Sequence, residues 1–157
     1  MSSGPVTTVG VISDTHGDLT AAAVEALTEA GTALIIHAGD VGGPDVLLDL
    51  EAVAPVVAVR GNTDNGVWAH DLPDTARIEV GGVRIAVAHA AAPGLEPDGA
   101  SVVIGGHTHI PSIVRRRDVL YVNPGSATHP RTRGGVPSIA LIDVHGGGDV
   151  RARIVLL

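Results

Sequence analysis

Seven residues of the types that bind metal ions are spread along the chain in short polar segments. They are Asp14, His16, Asp40, Asn62, His89, His107 and His109. Carboxylate and imidazole ligands together suit Mn²⁺, Fe²⁺, Co²⁺, Ni²⁺ and Zn²⁺ better than Mg²⁺ or Ca²⁺, which prefer oxygen ligands. A carboxylate such as Asp40 can bridge two cations, and cations about 3.5–4 Å apart can convert a shared water into hydroxide near neutral pH. The same cations neutralise phosphate oxygens, so these residue types predict hydrolysis of a phosphate ester.

These residues follow segments that we predict to be β-strands. Asp14 and His16 come directly after an apolar strand, and their spacing of two directs both side chains to one side of an extended backbone. Four further strands precede the other five residues: Asp40, Asn62, His89, and the pair His107 and His109. Ligands of open α/β sheets gather at the carboxyl ends of the strands. We therefore expect all seven side chains to meet at one edge.

The apolar pattern predicts one α/β domain with two β-sheets that spans residues 1–157. Its first half alternates strands and helices, at residues 6–13, 19–30, 33–37, 44–52 and 55–59. This order is typical of a parallel sheet with helical crossovers, and Asp18 is the expected N-cap of the first helix. The second half is mostly strand, at residues 77–80, 83–88, 102–104, 113–116, 119–122, 138–144 and 150–156. Glycine pairs and polar turns between those segments predict hairpins.

The composition excludes several kinds of protein. The chain has 157 residues, of which 45% are hydrophobic and 17% charged, as expected of a folded domain and not of a disordered chain. Its formal net charge is −7 and it contains no lysine, so nonspecific binding to nucleic acid is not expected. The absence of cysteine excludes disulfides and thiolate metal sites. No apolar run is long enough for a membrane span and no signal peptide is evident, so we expect a soluble cytoplasmic protein.

Five short motifs occur in order along the chain: Asp14-x-His16, Gly39-Asp40, Gly61-Asn62, His89 and Gly106-His107-x-His109. Together they resemble the calcineurin-like metallophosphoesterase superfamily. The segments 37–41 and 106–109 and the sequence Asn123-Pro124-Gly125-Ser126 are similar to those of its small YfcE-like phosphodiesterases. The resemblance extends from Val9 to Ser138. It implies an α/β fold of two packed β-sheets flanked by helices, an α-β-β-α sandwich.

The resemblance also implies the arrangement of a binuclear metal centre. One ion would be held by Asp14, His16, Asp40 and His109, and the other by Asp40, Asn62, His89 and His107. Asp40 would bridge the two ions and Asn62 would help to stabilise the charged transition state, which makes both residues catalytic. Mn²⁺ is the favoured metal, with Ni²⁺, Fe²⁺, Co²⁺ and Zn²⁺ as the other candidates.

Two positions depart from the superfamily pattern. Many members carry a His directly after the Asn of the third motif, where this chain has Thr63. That His is thought to assist the leaving oxygen and to bind phosphate, so its absence favours phosphodiesters with good leaving groups. YfcE-like relatives often lack it as well. Ala90 follows His89 where relatives usually have Gly, and because the residue is still small we expect only a local backbone adjustment.

Four further residues near the motifs have more than one interpretation. Asp64 either orients a neighbouring ligand or a water, or it caps the helix that follows. His37 either supports the site or is a satisfied buried histidine, which is the more common case. His129 and Arg131 follow the segment 123–126. They either bind a substrate phosphate, for which the guanidinium fork is suited, or lie in a surface loop.

Three functions compete on these grounds. We expect a two-metal phosphodiesterase that acts on small phosphoester substrates. The first alternative is a protein-interaction scaffold of the same fold, as in a subunit of the eukaryotic retromer complex whose metal site is degraded. The second is a phosphomonoesterase, which the replacement of the third-motif His by Thr63 disfavours. All seven ligand positions are intact, which favours an enzyme. The sequence leaves the physiological substrate and the native metal open, and it is compatible with a homo-oligomer.

Overall fold

Ten strands form two five-stranded sheets in the computed structural model, which describes residues 4–91 and 99–157. In chain order the elements are β1 (Val6–Ile12), α1 (Ala21–Glu29), β2 (Leu34–His37), α2 (Pro44–Glu51), β3 (Val56–Ala58), a 3-10 helix (Val67–Ala69), β4 (Thr75–Val80), β5 (Val83–Ala88), β6 (Val102–Ile104), β7 (Pro111–Arg116), β8 (Val119–Pro124), β9 (Ser138–His145) and β10 (Val150–Leu156). The first sheet has the order β10-β9-β1-β2-β3 and the second β4-β5-β6-β8-β7. Strands β1 to β3 are parallel, as are β5, β6 and β8.

An apolar layer joins the two sheets face to face. Val9 and Val11 of β1 belong to one buried cluster with Ile85 and Val87 of β5 and Ile104 of β6. Alternate residues of each strand point into this layer, as a half-buried strand requires. Each fully buried side chain of this size contributes about 1.5–3 kcal/mol. The predicted fold of two packed β-sheets is confirmed.

The helices cover the outer face of the first sheet. Leu27 of α1 and Leu50 of α2 are fully buried in a second cluster with Ile12 and Ile35, and Trp68 packs against it. Among residues 4–91 and 99–157, both α-helices lie on this face, so the helical flanking is seen on one side of the sandwich. No helix in these ranges is long and apolar enough to cross a bilayer.

Two details differ from the sequence-based expectation or go beyond it. The strands β9 and β10 were predicted as a pair, and the structure places that pair in the first sheet, where β9 runs antiparallel to β1. The predicted N-cap at Asp18 is wrong, because the N–H of Asp18 is bonded to the carbonyl of Thr15 in a preceding turn. The hydroxyl of Thr20 instead accepts a bond from the N–H of Ala23, 3.3 Å away, and caps α1.

His37, at the end of β2, is fully buried and satisfied within the fold. Its Nδ1 accepts from the N–H of Gly39 at 3.1 Å, and its Nε2 lies 3.0 Å from Thr15 Oγ1. The Thr15 hydroxyl donates its hydrogen to the carbonyl of Val41 at 2.8 Å, so Nε2 must be the donor to Thr15. Burial lowers the pKa of His37 from 6.5 to about 3, and His89 acts in the same direction. His37 is therefore a neutral buried histidine that ties the end of β1 to the loop after β2.

We expect His37 to make the stability of the metal-free protein depend on pH. The unfolded chain binds a proton at His37 below about 6.5, whereas the folded protein does so only near 3. The contribution of neutral His37 to the free energy of unfolding is therefore fully present above pH 6.5. It is lost as the pH falls from 6.5 toward 3. His37→Asn keeps an acceptor for the N–H of Gly39 and has no such proton. The difference in free energy of unfolding between wild type and variant should shrink by about 1.4 kcal/mol per pH unit.

Urea denaturation in chelator at several pH values between 7.5 and 4 measures this difference. Parallel stability curves for the two proteins across the window would show that His37 is protonated in the folded state.

Candidate metal centre

The structure brings all seven predicted ligands to one region at the carboxyl ends of β1, β2, β3, β5 and β6. Six of them form two groups whose ligand atoms lie within 4.8 Å of one another: Asp14, His16 and His109, and Asp40, His89 and His107. Asn62 joins the second group, because its Oδ1 lies 3.0 Å from His89 Nε2 and 3.1 Å from His107 Nδ1. The arrangement can hold two cations side by side.

Asp40 belongs to the second group and also faces the first. Its Oδ2 is 3.3 Å from His89 Nε2 and 3.8 Å from His16 Nε2, so one carboxylate oxygen faces both. Its Oδ1 accepts a hydrogen bond from the backbone N–H of Thr63 at 2.9 Å. Burial raises the pKa of Asp40, but the hydrogen bonds from Thr63 and the nearby His89 and His16 outweigh it and lower the pKa below its ordinary value. Asp40 is therefore an ionised carboxylate in the position a bridging ligand needs.

Asp14 provides the clearest test of whether the site fits a cation. The residue is fully buried, and its Oδ2 accepts from Ser13 Oγ at 2.7 Å and from the N–H of His107 at 3.0 Å. Its Oδ1 is buried with no hydrogen-bond partner among the described residues, and it lies 3.2 Å from His109 Nε2. A buried carboxylate oxygen without a partner is destabilising, and a cation bound by the group removes that penalty. The donor set therefore fits divalent metal ions.

Two imidazoles are fixed by carbonyl groups so that Nε2 faces the site. His89 Nδ1 lies 2.7 Å from the carbonyl oxygen of Ala38, and His109 Nδ1 lies 2.5 Å from that of His129. A carbonyl oxygen can only accept, so Nδ1 carries the proton in both rings. The Nε2 lone pair is then free to bind a metal, an orientation typical of metal-binding histidines.

Five of the seven ligands have a left-handed backbone conformation. The φ angles are 56° at Asp14, 47° at His16, 54° at Asp40, 71° at His107 and 61° at His109. Such angles are uncommon for residues other than glycine and cost on the order of 1 kcal/mol each. They turn the chain sharply after each strand, which directs the ligand side chains toward a common point. Backbone bonds hold these turns, for example from the N–H of His16 to the carbonyl of Asp40 at 3.0 Å.

Two glycines allow the ligand segments to approach each other. A Cβ atom at Gly61 would overlap the carboxylate of Asp40, and one at Gly106 would overlap the hydroxyl of Ser13. Neither residue has a left-handed φ, so the requirement is space and not conformation. The glycines that precede Asn62 and His107 are therefore part of the site's construction.

Asp64 supports the site through hydrogen bonds from backbone N–H groups. Its carboxylate accepts from the N–H groups of Val41, Gly42 and Gly61 at 2.9–3.1 Å. It thereby fastens the loop after β2 to the loop after β3. The helix-capping interpretation is wrong, because the following 3-10 helix begins after Gly66 and has no side-chain cap. The position of Asp64, two residues after the predicted ligand Asn62, is the one sequence signal of a supporting role.

The segment after β8 also supports the site. Ser126 Oγ donates to the carbonyl of Asp14 at 2.8 Å and accepts from the N–H groups of Thr128 and His129. The His129 ring is exposed and lies 5.3 Å from the His16 ring, measured between centroids. The exposed Arg131 is anchored through its backbone N–H to the carbonyl of His109, 3.2 Å away. His129 is thus beside the first group of ligands, and Arg131 follows it two residues later in the chain.

The chain matches the Calcineurin-like phosphoesterase superfamily domain over residues 8–147. It is 38% identical to a probable metallophosphoesterase of Methanothermobacter thermautotrophicus, in an alignment that covers 88% of this chain and 86% of the relative. It is 32% identical to phosphodiesterase YfcE of Escherichia coli, with 80% and 81% covered. The structure of Vacuolar Protein Sorting 29 from Cryptosporidium parvum has a TM-score of 0.77 at 19% identity, with 97% and 98% covered, and this likeness concerns the fold alone. The chain belongs to the calcineurin-like phosphoesterase superfamily.

Proposed function

We propose that this protein is a two-metal phosphodiesterase that hydrolyses small phosphodiesters. The observation that carries the proposal is the pair of Asp and His groups, with Asp40 of the second group also facing His16 of the first. Relatives that are named phosphodiesterases support the type of ester. Two bound divalent ions would lower the pKa of a water and neutralise charge on the phosphate oxygens. Mn²⁺ is the metal we favour for this mixed oxygen and nitrogen ligand set.

The side chains of the site would bind the two metal ions and contact the substrate phosphate. One ion would be held by Asp14, His16, Asp40 and His109, and the other by Asp40, Asn62, His89 and His107. Asn62 is exposed, and its Oδ1 faces His89 and His107. Its amide nitrogen has no hydrogen bond within residues 4–91 and 99–157, so it is available to donate to a phosphate oxygen in the transition state. His129, whose ring centroid is 5.3 Å from that of His16, would contact the substrate phosphate from the other side, and Arg131 would be a more distant cation.

A non-catalytic scaffold is the second candidate because Vacuolar Protein Sorting 29 has the same fold. A scaffold needs no ligand cluster, however, and a partly buried set of Asp and His residues with strained backbone is costly to keep without a role. The intact ligand set therefore favours the enzyme.

Replacing Asp14 by Asn should separate metal binding from stability. The buried Oδ1 of wild type has no hydrogen-bond partner among the described residues. Removing its charge should leave the free energy of unfolding in chelator unchanged or raise it by about 1 kcal/mol. Addition of Mn²⁺ should stabilise wild type and have much less effect on Asp14→Asn. Asp49→Asn, at an exposed position of α2, is the matched control. Equal stabilisation of wild type and Asp14→Asn by the metal would contradict the ligand assignment.

Protein loaded with Mn²⁺ or Ni²⁺ should hydrolyse bis(4-nitrophenyl) phosphate. Asn62→Ala should lower kcat about 100-fold, because a donor to the developing charge is lost. Asp49→Asn should keep the wild-type rate. Elemental analysis of the same samples gives the metal content. Full occupancy without turnover for Mn²⁺, Ni²⁺, Co²⁺, Fe²⁺ and Zn²⁺ would overturn the proposed function.

Thr63→His should shift the preference of the enzyme toward phosphomonoesters. The Thr63 side chain is exposed beside Asn62. Its side-chain hydrogen bond to Asp40 is lost in the variant, but the backbone N–H that binds the same carboxylate at 2.9 Å is retained. A proton donor at this position assists poor leaving groups most. The ratio of kcat/KM for 4-nitrophenyl phosphate to that for the diester should rise at least about tenfold. An unchanged ratio, with the diester rate retained, would show that Thr63 does not set this preference.

A further inference from the structure

A cavity of about 400 Å³ opens beside the second group of ligands. Asn62 and His89 line one side of it, and residues of β4, β5 and β6 line the rest. Its volume falls within the range of small-molecule sites, roughly 300–1000 Å³. The cavity is therefore large enough to take an ester group of a phosphate held at the metal centre.

Small apolar side chains make up most of the cavity surface. They are Ala76, Ala86, Ala88, Ala90, Ala91 and Val103. Ala86 and Val103 are only 5% and 3% exposed and lie side by side in the pairing of β5 with β6, so they form the floor of the cavity. Side chains this small leave a shallow, flat space that a branched aliphatic residue would fill. A planar apolar group fits such a surface better than a charged or strongly hydrated one.

Arg77 supplies a positive charge at the edge of this surface. It lies directly opposite Ala86 in the pairing of β4 with β5, and its side chain is exposed. It makes no ion pair within residues 4–91 and 99–157. The nearby carboxylate of Asp74 is already bound by Arg60, 2.7 Å away. The guanidinium of Arg77 is therefore free to lie against the face of an aromatic ring in the cavity.

The opposite side of the metal centre has a different character. There the ring centroid of His16 lies 5.3 Å from that of His109 and 5.3 Å from that of His129. The two ester groups of a bound phosphodiester would thus meet one apolar surface and one polar surface. This asymmetry selects substrates whose two ester groups differ in chemistry.

We propose that the alanine-lined cavity binds one ester group of the substrate, that this group is a planar aromatic ring system, and that Arg77 contacts its face. The proposal rests on the proposed function, because it places the phosphate at the metal centre. It adds the chemical class of the ester group and two residues, Ala86 and Arg77, that determine specificity.

Calorimetric titration of Mn²⁺-loaded protein with two non-hydrolysable phosphonates tests the proposal without any turnover. Methylphosphonate reports on the phosphate site alone, and phenylphosphonate adds the aromatic group. Wild type should bind phenylphosphonate on the order of tenfold more tightly. Ala86→Leu fills the cavity and should reduce this preference to less than about twofold, with the methylphosphonate Kd unchanged.

Arg77→Ala gives an independent test at an exposed position that does not disturb the apolar core. It should weaken phenylphosphonate binding roughly two- to fivefold and leave methylphosphonate unaffected. Arg115→Ala is the matched control, because Arg115 is exposed on β7 at the other edge of the same sheet. Circular dichroism and thermal denaturation show whether Ala86→Leu is folded. If it is not, the proposal is tested by the effect of Arg77→Ala on phenylphosphonate binding.

The outcomes separate the two proposals. If methylphosphonate does not bind wild type, the phosphate site and everything that rests on it are wrong. If methylphosphonate binds but phenylphosphonate binds no more tightly, the cavity does not take an aromatic ester group while the proposed function stands. If Arg77→Ala and Arg115→Ala behave alike, Arg77 has no part in recognition.

Discussion

The ligand atoms of the metal centre are held close together although they repel one another or lack hydrogen-bond partners. The rest of the structure depends on the contacts that keep them in place. Asp14 Oδ1 is buried without a hydrogen bond from the described residues. A buried carboxylate oxygen that lacks a partner costs roughly 1–3 kcal/mol. The arrangement persists because the other atoms of the ligands are anchored: Asp14 Oδ2 accepts two hydrogen bonds, and Nδ1 of His89 donates to a carbonyl. Those anchors come from both sheets, so the site can form only after the sheets have packed.

The positions of the ligands could be predicted because they depend on local rules. A strand is recognised from its apolar residues, and the polar residue that follows it lies at the carboxyl end by construction. Asp14 and Asp40 therefore come together once β1 and β2 are parallel neighbours, and His89 and His107 do so through β5 and β6. The observed strands agree with the predicted ones because their apolar runs are bounded by glycine, proline or polar residues. Helix ends were less certain, as the shift of the cap from Asp18 to Thr20 shows.

The remaining features depend on contacts between distant parts of the chain, which no local pattern contains. Whether the hairpin of β9 and β10 joins the first or the second sheet is decided by packing, not by its own residues. Asp64 binds the N–H groups of Val41, Gly42 and Gly61. The sequence of a polar loop does not reveal which N–H groups its carboxylate will bind. The left-handed conformations of the ligands could not be predicted either. Asp and His adopt them more often than most residues other than glycine, but only in a small minority of positions.

The buried and exposed parts of the site are built in different ways, and this difference decides where specificity can change. Asp14 and Asp40 are fixed by backbone groups and by close approach of glycines, so substitutions around them alter the fold itself. Thr63 and His129 are exposed and are not among the seven ligands, so their side chains can be exchanged while all the metal ligands are kept. Thr63 contacts Asp40 through its side chain and through its backbone N–H, and every residue except proline retains the backbone contact. The metal ligands can therefore stay constant while the neighbouring surface adapts to different phosphate esters.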